Sequence, residues 1–373
     1  MIKLLLAILL TLTALLTVLP APEFHLWLLA IMVTEFCWVF VLLSFALLFF
    51  SLKRGRYRLP VSILSGIAFL LFLSPLIRAF AEAGSLKQDM NKVFPSDING
   101  ADAKPFQLSK LFAAAPKVKH RTLSYVKYAD TALTLDFYQS KMRDRRPCVI
   151  VIHGGSWSGG DSKQLPELNS LLAREGYNVA SVNYRMAPKW KSPKPVEDVK
   201  NALNFLTRHA AALSVDTNKF VLLGRSAGAQ VALLAAYTLK EQRIAGVIDF
   251  YGPADMVWGY SVPSSPLIMN SRKVMANYLG GPYPRMPHKY AASSPILFVD
   301  KTSAPTLILH GANDVLVAYE HSRRLNEKLR QADVPHYWLR LPWATHGFDY
   351  NINGPGGQLS TYAILRFLKA VAP

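Results

Sequence analysis

The sequence contains few cysteines and few acidic residues relative to basic ones. Two cysteines, Cys37 and Cys148, occur in 373 residues, which excludes a disulfide framework. Both belong to apolar segments, where buried, unreactive thiols are expected. There are 42 Lys and Arg against 24 Asp and Glu, a formal net charge of +18. The basic residues are dispersed and form no stripe with interleaved aromatics, so the charge favours attraction to anionic lipid over a nucleic-acid partner.

The length of the chain and its apolar segments indicate one large α/β domain with an N-terminal appendage. Residues 1–84 contain three apolar runs, at about 2–19, 24–52 and 59–82. Because a membrane-spanning helix needs about 20 apolar residues, the sequence predicts a membrane region with about three transmembrane helices. The first run is the shortest, and the alternative for it is a cleaved signal peptide with Lys3 as its short, positively charged N-terminal region.

The basic residues between the second and third runs predict the orientation of this region. The link contains Lys53, Arg54, Arg56 and Arg58, whereas the link before the second run contains no Lys or Arg. The positive-inside rule places the basic link in the cytoplasm. Three spans would then put everything after Ala83 on the extracytoplasmic side, which is the periplasm or cell surface if the source is bacterial.

Glu35 lies in the middle of the second run, where an ionisable side chain is costly and is a candidate functional residue. The alternative is a protonated carboxyl that hydrogen-bonds to Thr34, Ser44 or a neighbouring span. The other two runs have no partner charge at this depth, which favours the alternative.

Residues 85–119 are polar and predict a linker and lead-in arm. From residue 120 to 373, apolar β-rich segments alternate with helical patterns, which predicts a mostly parallel sheet with helices on both faces. The predicted strands are a hairpin at 125–138 and later segments at 148–152, 178–183, 220–223, 245–251, 305–310 and 336–341. The predicted helices are 165–175, 196–209, 227–237, 320–332 and 359–371.

The stretch from Lys219 to Tyr237 contains the strongest functional signal. A predicted strand leads into Gly224-Arg225-Ser226-Ala227-Gly228, and an Ala- and Leu-rich helical pattern follows. A G-x-S-x-G turn between a strand and a helix holds the serine side chain clear of the backbone. The helix N-terminus behind it favours a developing negative charge. Ser226 is therefore a candidate nucleophile.

A serine hydroxyl needs a base to accept its proton, and the base needs a carboxylate to orient it. For a nucleophile on such a turn, the carboxylate and then the histidine follow on loops after later strands. Asp314 follows the predicted strand at 305–310, and His346 follows the one at 336–341. The sequence thus predicts a catalytic set of Ser226, His346 and Asp314.

A second motif, His153-Gly154-Gly155-Ser156-Trp157, follows the predicted strand at 148–152. Acyl transfer requires backbone N–H donors aimed at the oxyanion, and a Gly-Gly turn lets the backbone direct them inward. Gly155 and Ser156 are the predicted donors, with Gly154 as a further candidate. Ala227, directly after the nucleophile, is the fourth candidate.

With these motifs, the chain from about Leu123 onward resembles α/β-hydrolases of the hormone-sensitive-lipase and bacterial esterase group. It also resembles the branch that contains feruloyl-esterase-like and kynurenine-formamidase-like enzymes. Many members have a third glycine where this chain has Ser156, whose N–H can still donate. Asp198 matches an acidic family position and is expected to be structural, tied to Arg185. The matching pieces are HGGSW at 153–157, NYRMAP at 183–188, VEDVKNAL at 196–203, GRSAG at 224–228, HGANDVLV at 310–317 and THGF at 345–348.

The resemblance implies an α/β-hydrolase fold over residues 120–373 and a serine carboxylic-ester hydrolase without metal or cofactor. The predicted function is a membrane-anchored esterase that cleaves small-molecule or lipid-like esters through an acyl-enzyme, with membrane lipid as its other partner. One alternative is an amidase, formamidase or acyltransferase with the same triad. Another is a catalytically silent, membrane-bound binding module, which would have no need of the full triad. Residues 253–295, rich in aromatics and prolines, either cap the site or pack at the sheet edge.

Overall fold

The computed structural model describes residues 1–52, 56–96, 104–142 and 144–373. The strands are β1 (Arg121–Lys127), β2 (Ala132–Tyr138), β3 (Arg146–Ile152), β4 (Asn178–Val182), β5 (Val215–Arg225), β6 (Ile244–Phe250), β7 (Thr306–Gly311) and β8 (His336–Leu341). They form one sheet in the order β1-β2-β4-β3-β5-β6-β7-β8. β2 is antiparallel to both β1 and β4, and the remaining neighbours are parallel.

Helices precede the sheet and connect its strands. They are α1 (Ile2–Ala14), α2 (Phe24–Glu35), α3 (Cys37–Ser51), α4 (Arg58–Val93), α5 (Pro166–Arg174), α6 (Lys194–Arg208), α7 (Ala210–Leu213), α8 (Ala227–Thr238), α9 (Met256–Ser261), α10 (Ser271–Leu279), α11 (Pro287–Ala292), α12 (Glu320–Gln331) and α13 (Pro355–Val371). The predicted α/β architecture, with its antiparallel hairpin followed by parallel strands, is confirmed.

The central strands are apolar at successive positions because both faces of the sheet are covered. Alternate side chains of a strand point to opposite faces. In β5, Leu222 belongs to the buried cluster on one face and Leu223 to the cluster on the other. Both cysteines are free and buried, as expected. Asp198 is also buried, and it accepts hydrogen bonds from Arg185 Nε at 2.9 Å and Tyr128 Oη at 2.6 Å, which confirms its structural role.

The N-terminal apolar region differs from the predicted three transmembrane helices at 2–19, 24–52 and 59–82. Within the described ranges, α4 alone is long and apolar enough to cross a membrane as a single helix. The second run is broken at Phe36 into α2 and α3, which are bent by 83° and count as a further candidate only if together they form one span. The first helical run, Ile2–Thr17, is shorter than a span.

The multi-pass arrangement and the extracytoplasmic placement of the α/β domain are therefore not supported. The break at Phe36 prevents the second run from forming one straight helix. The predicted orientation depends on the number of spans, because each span moves the chain to the other side of the membrane. Of the basic link used to assign it, Lys53 and Arg54 lie outside the described residues.

Helix α4 continues beyond the third apolar run and packs on the α/β domain. Leu86 and Met90, four residues apart on one face of the helix, are fully buried. They belong to the cluster that also contains Val149 and Leu223 of the sheet, and α4 contacts α13 and β8. The first part of the predicted linker 85–119 is thus a packed helix. Residues 97–103 of that linker lie outside the described part of the chain.

Glu35 caps a helix of the α/β domain. It is fully buried, and its Oε2 accepts the backbone N–H of Gly356 at 2.9 Å and that of Gly357 at 3.4 Å, at the N-terminus of α13. The first N–H groups of a helix have no acceptor within the helix, and this carboxyl oxygen supplies one. The predicted partners differ, because the Thr34 and Ser44 hydroxyls donate to carbonyls of their own helices. Glu35 therefore joins the N-terminal region to the α/β domain.

We expect Glu35→Ala to lower the free energy of unfolding of the full chain by about 1–3 kcal/mol, because two buried N–H groups lose their acceptor. Thermal and denaturant unfolding in detergent would measure this change. Glu327→Ala is the matched control, since Glu327 pairs with Arg330 on the surface of α12 and such pairs contribute about 0–1 kcal/mol. Equal effects of the two substitutions would contradict the capping role of Glu35.

Candidate active site

Ser226 lies on the sharp turn between β5 and α8, with φ 53° and ψ −120°. Its backbone N–H donates to the carbonyl of Phe250 at 2.9 Å, which ties the turn to β6. A Cβ at Gly224 would lie 2.3 Å from the carbonyl oxygen of Gly228, and one at Gly228 would lie 2.2 Å from that of Ile152. The strand and helix approach this closely because both positions are glycine, and the turn holds Ser226 in a strained conformation.

Asp314 and His346 follow neighbouring parallel strands, β7 and β8, and they meet at the same edge of the sheet as Ser226. His346 Nδ1 lies 2.7 Å from Asp314 Oδ2. The other carboxylate oxygen, Oδ1, accepts the backbone N–H groups of Leu316 and Val317, each at 2.9 Å. With Nδ1 engaged by the carboxylate, Nε2 of His346 is the ring nitrogen available to a hydroxyl.

His310 is a second histidine on the same carboxylate, a contact that the sequence does not predict. Its Nε2 lies 3.0 Å from Asp314 Oδ2, and its Nδ1 lies 2.6 Å from the Ser322 hydroxyl. Burial raises the pKa of Asp314, but the charges and hydrogen bonds of His346 and His310 outweigh burial and hold that pKa well below its usual range. Asp314 is therefore an anion fixed in place by contacts on both oxygens.

The predicted oxyanion loop has a left-handed backbone at Gly155 (φ 115°), Ser156 (φ 55°) and Trp157 (φ 57°). One predicted donor is already occupied, because the N–H of Gly154 donates to Gln164 Oε1 at 2.7 Å. Among the described residues, the N–H groups of Gly155, Ser156 and Ala227 have no hydrogen-bond acceptor. These three are thus the available donors, and Gly154 is corrected to a structural position.

Three buried residues support the loop that carries His346. Asp349 accepts hydrogen bonds from Arg225 Nε at 2.5 Å and from the Tyr251 hydroxyl. The Tyr251 ring centroid lies 4.3 Å from that of His346. The sequence contains a weak signal for this network, since Arg225 adjoins the nucleophile and Asp349 follows His346 by three residues.

Trp27 is a further residue at the site that sequence reasoning missed. Its indole Nε1 donates to the backbone carbonyl of His346 at 3.0 Å. Trp27 lies on α2, in the region predicted to be transmembrane. Its partner is 319 residues later in the chain, and the composition of an apolar run gives no sign of such a contact. Helix α2 is thus part of the surroundings of the candidate base.

Two cavities meet at Ser226. The smaller, of about 230 Å³, extends beneath residues 253–295, with Met256 and Met275 in its wall. The larger, of about 540 Å³, contains His346 and is bounded on one side by α2. Ser226, Ser156, Met269 and Leu316 line both. The insertion at 253–295 therefore forms one wall of the site.

The structure brings Ser226, Asp314 and His346 to one edge of the sheet, together with the Gly155-Ser156 turn. Within the described residues, no hydrogen bond joins the Ser226 hydroxyl to His346, although both line the larger cavity. In sites without substrate, such contacts are often long. The arrangement can activate a hydroxyl, stabilise an oxyanion and protonate a leaving group.

A family model described as BD-FAE matches residues 135–329. This region extends from β2 into α12 and contains Ser226, Asp314 and the Gly155-Ser156 turn. The match ends before His346, which lies on the loop after β8. The resemblance to the esterase group indicated by the motifs is confirmed.

Curated relatives and solved structures agree with this match. Esterase LipC of Mycobacterium tuberculosis is 28% identical over 261 residues, which cover 65% of this chain and 63% of that protein. The chain thus spans a little under two thirds of the length of this relative. Ethyl acetate hydrolase of Pseudomonas putida is 26% identical over 74% of this chain and 92% of that protein. A Pyrobaculum calidifontis esterase structure superposes with a TM-score of 0.58 at 22% identity, covering 80% of this chain and 93% of that one, which shows the α/β-hydrolase fold.

Proposed function

This chain belongs to the BD-FAE family, and on that premise we propose that it is a serine carboxylesterase with Ser226, His346 and Asp314 as its triad. The observation that carries the proposal is the 2.7 Å contact between His346 Nδ1 and Asp314 Oδ2 beside a serine held at φ 53°. A buried contact between a histidine and a carboxylate, and a serine in a strained backbone conformation, each cost free energy unless the surrounding fold holds them in place.

In the proposed reaction, the Ser226 hydroxyl attacks an ester carbonyl while Nε2 of His346 accepts its proton. Asp314 keeps the imidazole in the required tautomer and stabilises its positive charge. The tetrahedral intermediate collapses when His346 returns the proton to the leaving alcohol, which leaves an acyl-enzyme. Water, deprotonated by His346, then attacks the acyl group, and Ser226 leaves with the proton.

In this proposal, the N–H groups of Gly155, Ser156 and Ala227 donate hydrogen bonds to the negatively charged oxygen of the tetrahedral intermediate. These groups are supplied by two different segments, the turn after β3 and the first residue of α8. The N-terminus of α8 adds its partial positive charge at the same point. One such donor contributes about 10²- to 10³-fold to kcat.

We also propose that the N-terminal region anchors the enzyme to a membrane. Large apolar side chains of α1, α3 and α4 are exposed, including Leu9, Phe45, Phe49, Leu59 and Leu70. Exposed apolar surface of this extent is typical of a membrane or protein contact. The net charge of +18 favours anionic lipid as the partner.

The test is labelling of the full chain in detergent with a fluorophosphonate probe, combined with hydrolysis of p-nitrophenyl acetate, butyrate and octanoate. We expect labelling at Ser226 and cleavage of at least one ester. Labelling with cleavage of an aryl formamide and of no ester would replace the esterase by a formamidase. An unlabelled Ser226 with no hydrolysis would instead indicate a silent binding module.

A further inference from the structure

The two cavities on either side of Ser226 differ in size and in the catalytic groups they contain. The larger cavity, of about 540 Å³, contains His346, and His346 is absent from the wall of the smaller one, of about 230 Å³. Because an ester has one acyl and one alcohol portion joined at the reacting carbonyl, each portion must extend from Ser226 into a different space.

The position of His346 decides which portion goes where. The general acid must be within hydrogen-bond reach of the oxygen that leaves. The leaving oxygen belongs to the alcohol, so the alcohol portion extends on the His346 side, into the larger cavity. The acyl portion is then directed toward the smaller cavity, beside Ala227 and Trp157.

The smaller cavity limits the acyl group. Its volume is below the range of about 300–1,000 Å³ that is usual for ligand sites. It is bounded by side chains of the insertion, including Met256, Val274 and Met275, and by the buried His321. A short acyl group fits this space better than a long chain.

The larger cavity suits a long apolar alcohol. Phe24, Trp27, Leu28 and Ile31 of α2 form one wall, and Ile268 of the insertion also lines this cavity. Phe24 is 41% exposed and Leu28 is 43% exposed, so this wall continues onto the surface of the N-terminal apolar region. An apolar chain can therefore extend from the surface that we assign to the membrane toward Ser226.

We propose that the substrate is an ester of a short acyl group with a long-chain apolar alcohol, and that α2 forms the binding wall for that alcohol. The inference rests on the proposed esterase function. It assigns to the N-terminal region a role in substrate choice in addition to anchoring.

The test compares octyl acetate with ethyl octanoate, two isomers of equal carbon number that differ in which side of the ester is long. The full chain in detergent micelles is assayed by acid release at constant pH. We expect kcat/KM to be at least about tenfold higher for octyl acetate, since single methylenes in a fitted pocket change this ratio by about 10- to 200-fold. Equal rates, or a preference for ethyl octanoate, would overturn the inference and leave the esterase proposal intact.

A substitution in α2 tests the wall itself. Leu28→Trp should lower kcat/KM for octyl acetate about tenfold more than it lowers kcat/KM for ethyl acetate, whose short alcohol portion does not reach the wall. Leu42→Trp is the matched control, because Leu42 is 57% exposed on α3 and lines neither cavity.

Fluorophosphonate labelling of each variant shows whether its active site is folded. A labelled Leu28→Trp variant with unchanged kcat/KM for octyl acetate would overturn the assignment of α2. If the original chain cleaves none of the three esters and is not labelled, the esterase proposal fails, and this inference fails with it.

Discussion

Replacing Ser226 with alanine is expected to lower kcat for ester hydrolysis by about 10⁶-fold, to the level left by binding and the oxyanion donors. Alanine also has a Cβ, so the backbone at φ 53° carries no additional strain. The hydrogen bond from the residue 226 backbone to the Phe250 carbonyl is retained, since it does not involve the side chain. The variant should therefore fold as the original does and lose only the nucleophile.

The measurement is the steady-state rate with p-nitrophenyl butyrate, together with the unfolding temperature of each protein. Ser261→Ala is the control, because its hydroxyl donates to the Trp258 carbonyl at the exposed end of α9. The control should retain full activity. A Ser226→Ala variant that keeps more than about a hundredth of the original kcat would contradict nucleophilic catalysis by this residue.

Asp314→Asn is expected to lower kcat by about 10⁴-fold, which is the effect of the same change in a serine triad. The amide has nearly the same shape, but it is neutral and no longer stabilises the positive charge on His346. In the original protein, the two carboxylate oxygens of Asp314 contact His346, His310 and two backbone N–H donors. The amide replaces one of these oxygens with an N–H₂ group, which cannot accept a hydrogen bond.

Asp300→Asn makes the same chemical change on the surface, where Asp300 pairs with Lys240 at 2.8 Å. We expect this control to keep its full kcat. Probe labelling should be slow in Asp314→Asn and normal in the control. If Asp314→Asn lowers kcat less than about tenfold, Asp314 does not orient the base, and another carboxylate must be sought.

Helix α2 joins the N-terminal region to two parts of the hydrolase domain. Trp27 holds the carbonyl of His346, and Glu35 holds the first turn of α13, which begins at Pro355. The loop with the candidate base and the helix after it are therefore both fixed from α2. A fragment that begins after the apolar runs would lack these contacts, so the full chain is the appropriate protein for every assay.

The candidate site could be predicted from the sequence because its signals are local. The turn at Ser226 needs a strand, a five-residue pattern and a helix, which occur together between Lys219 and Tyr237. Asp314 and His346 were found by their positions after apolar strands. Parallel strands bring their carboxyl ends to one edge of the sheet, so the order of strands and loops was sufficient to group them.

Other features depended on contacts between distant segments. The occupied N–H of Gly154 requires Gln164, ten residues away on a loop with no regular pattern. The contact between His310 and the Ser322 hydroxyl requires the end of β7 and the start of α12 to meet. The periodicity of apolar residues does not reveal such pairings, because they involve single polar atoms and leave the apolar pattern unchanged.

The sequence by itself determined the α/β alternation, the nucleophile turn and the order of Ser226, Asp314 and His346, since these follow from backbone geometry and apolar periodicity. Only the tertiary structure decided where the apolar N-terminal runs lie. A run of apolar residues has the same composition whether it faces lipid or a protein core. The break at Phe36 and the burial of Glu35 against α13 direct α2 onto the hydrolase domain. The reason is that a buried carboxyl group must find hydrogen-bond partners, and Glu35 finds them in the backbone N–H groups of Gly356 and Gly357, more than 300 residues later.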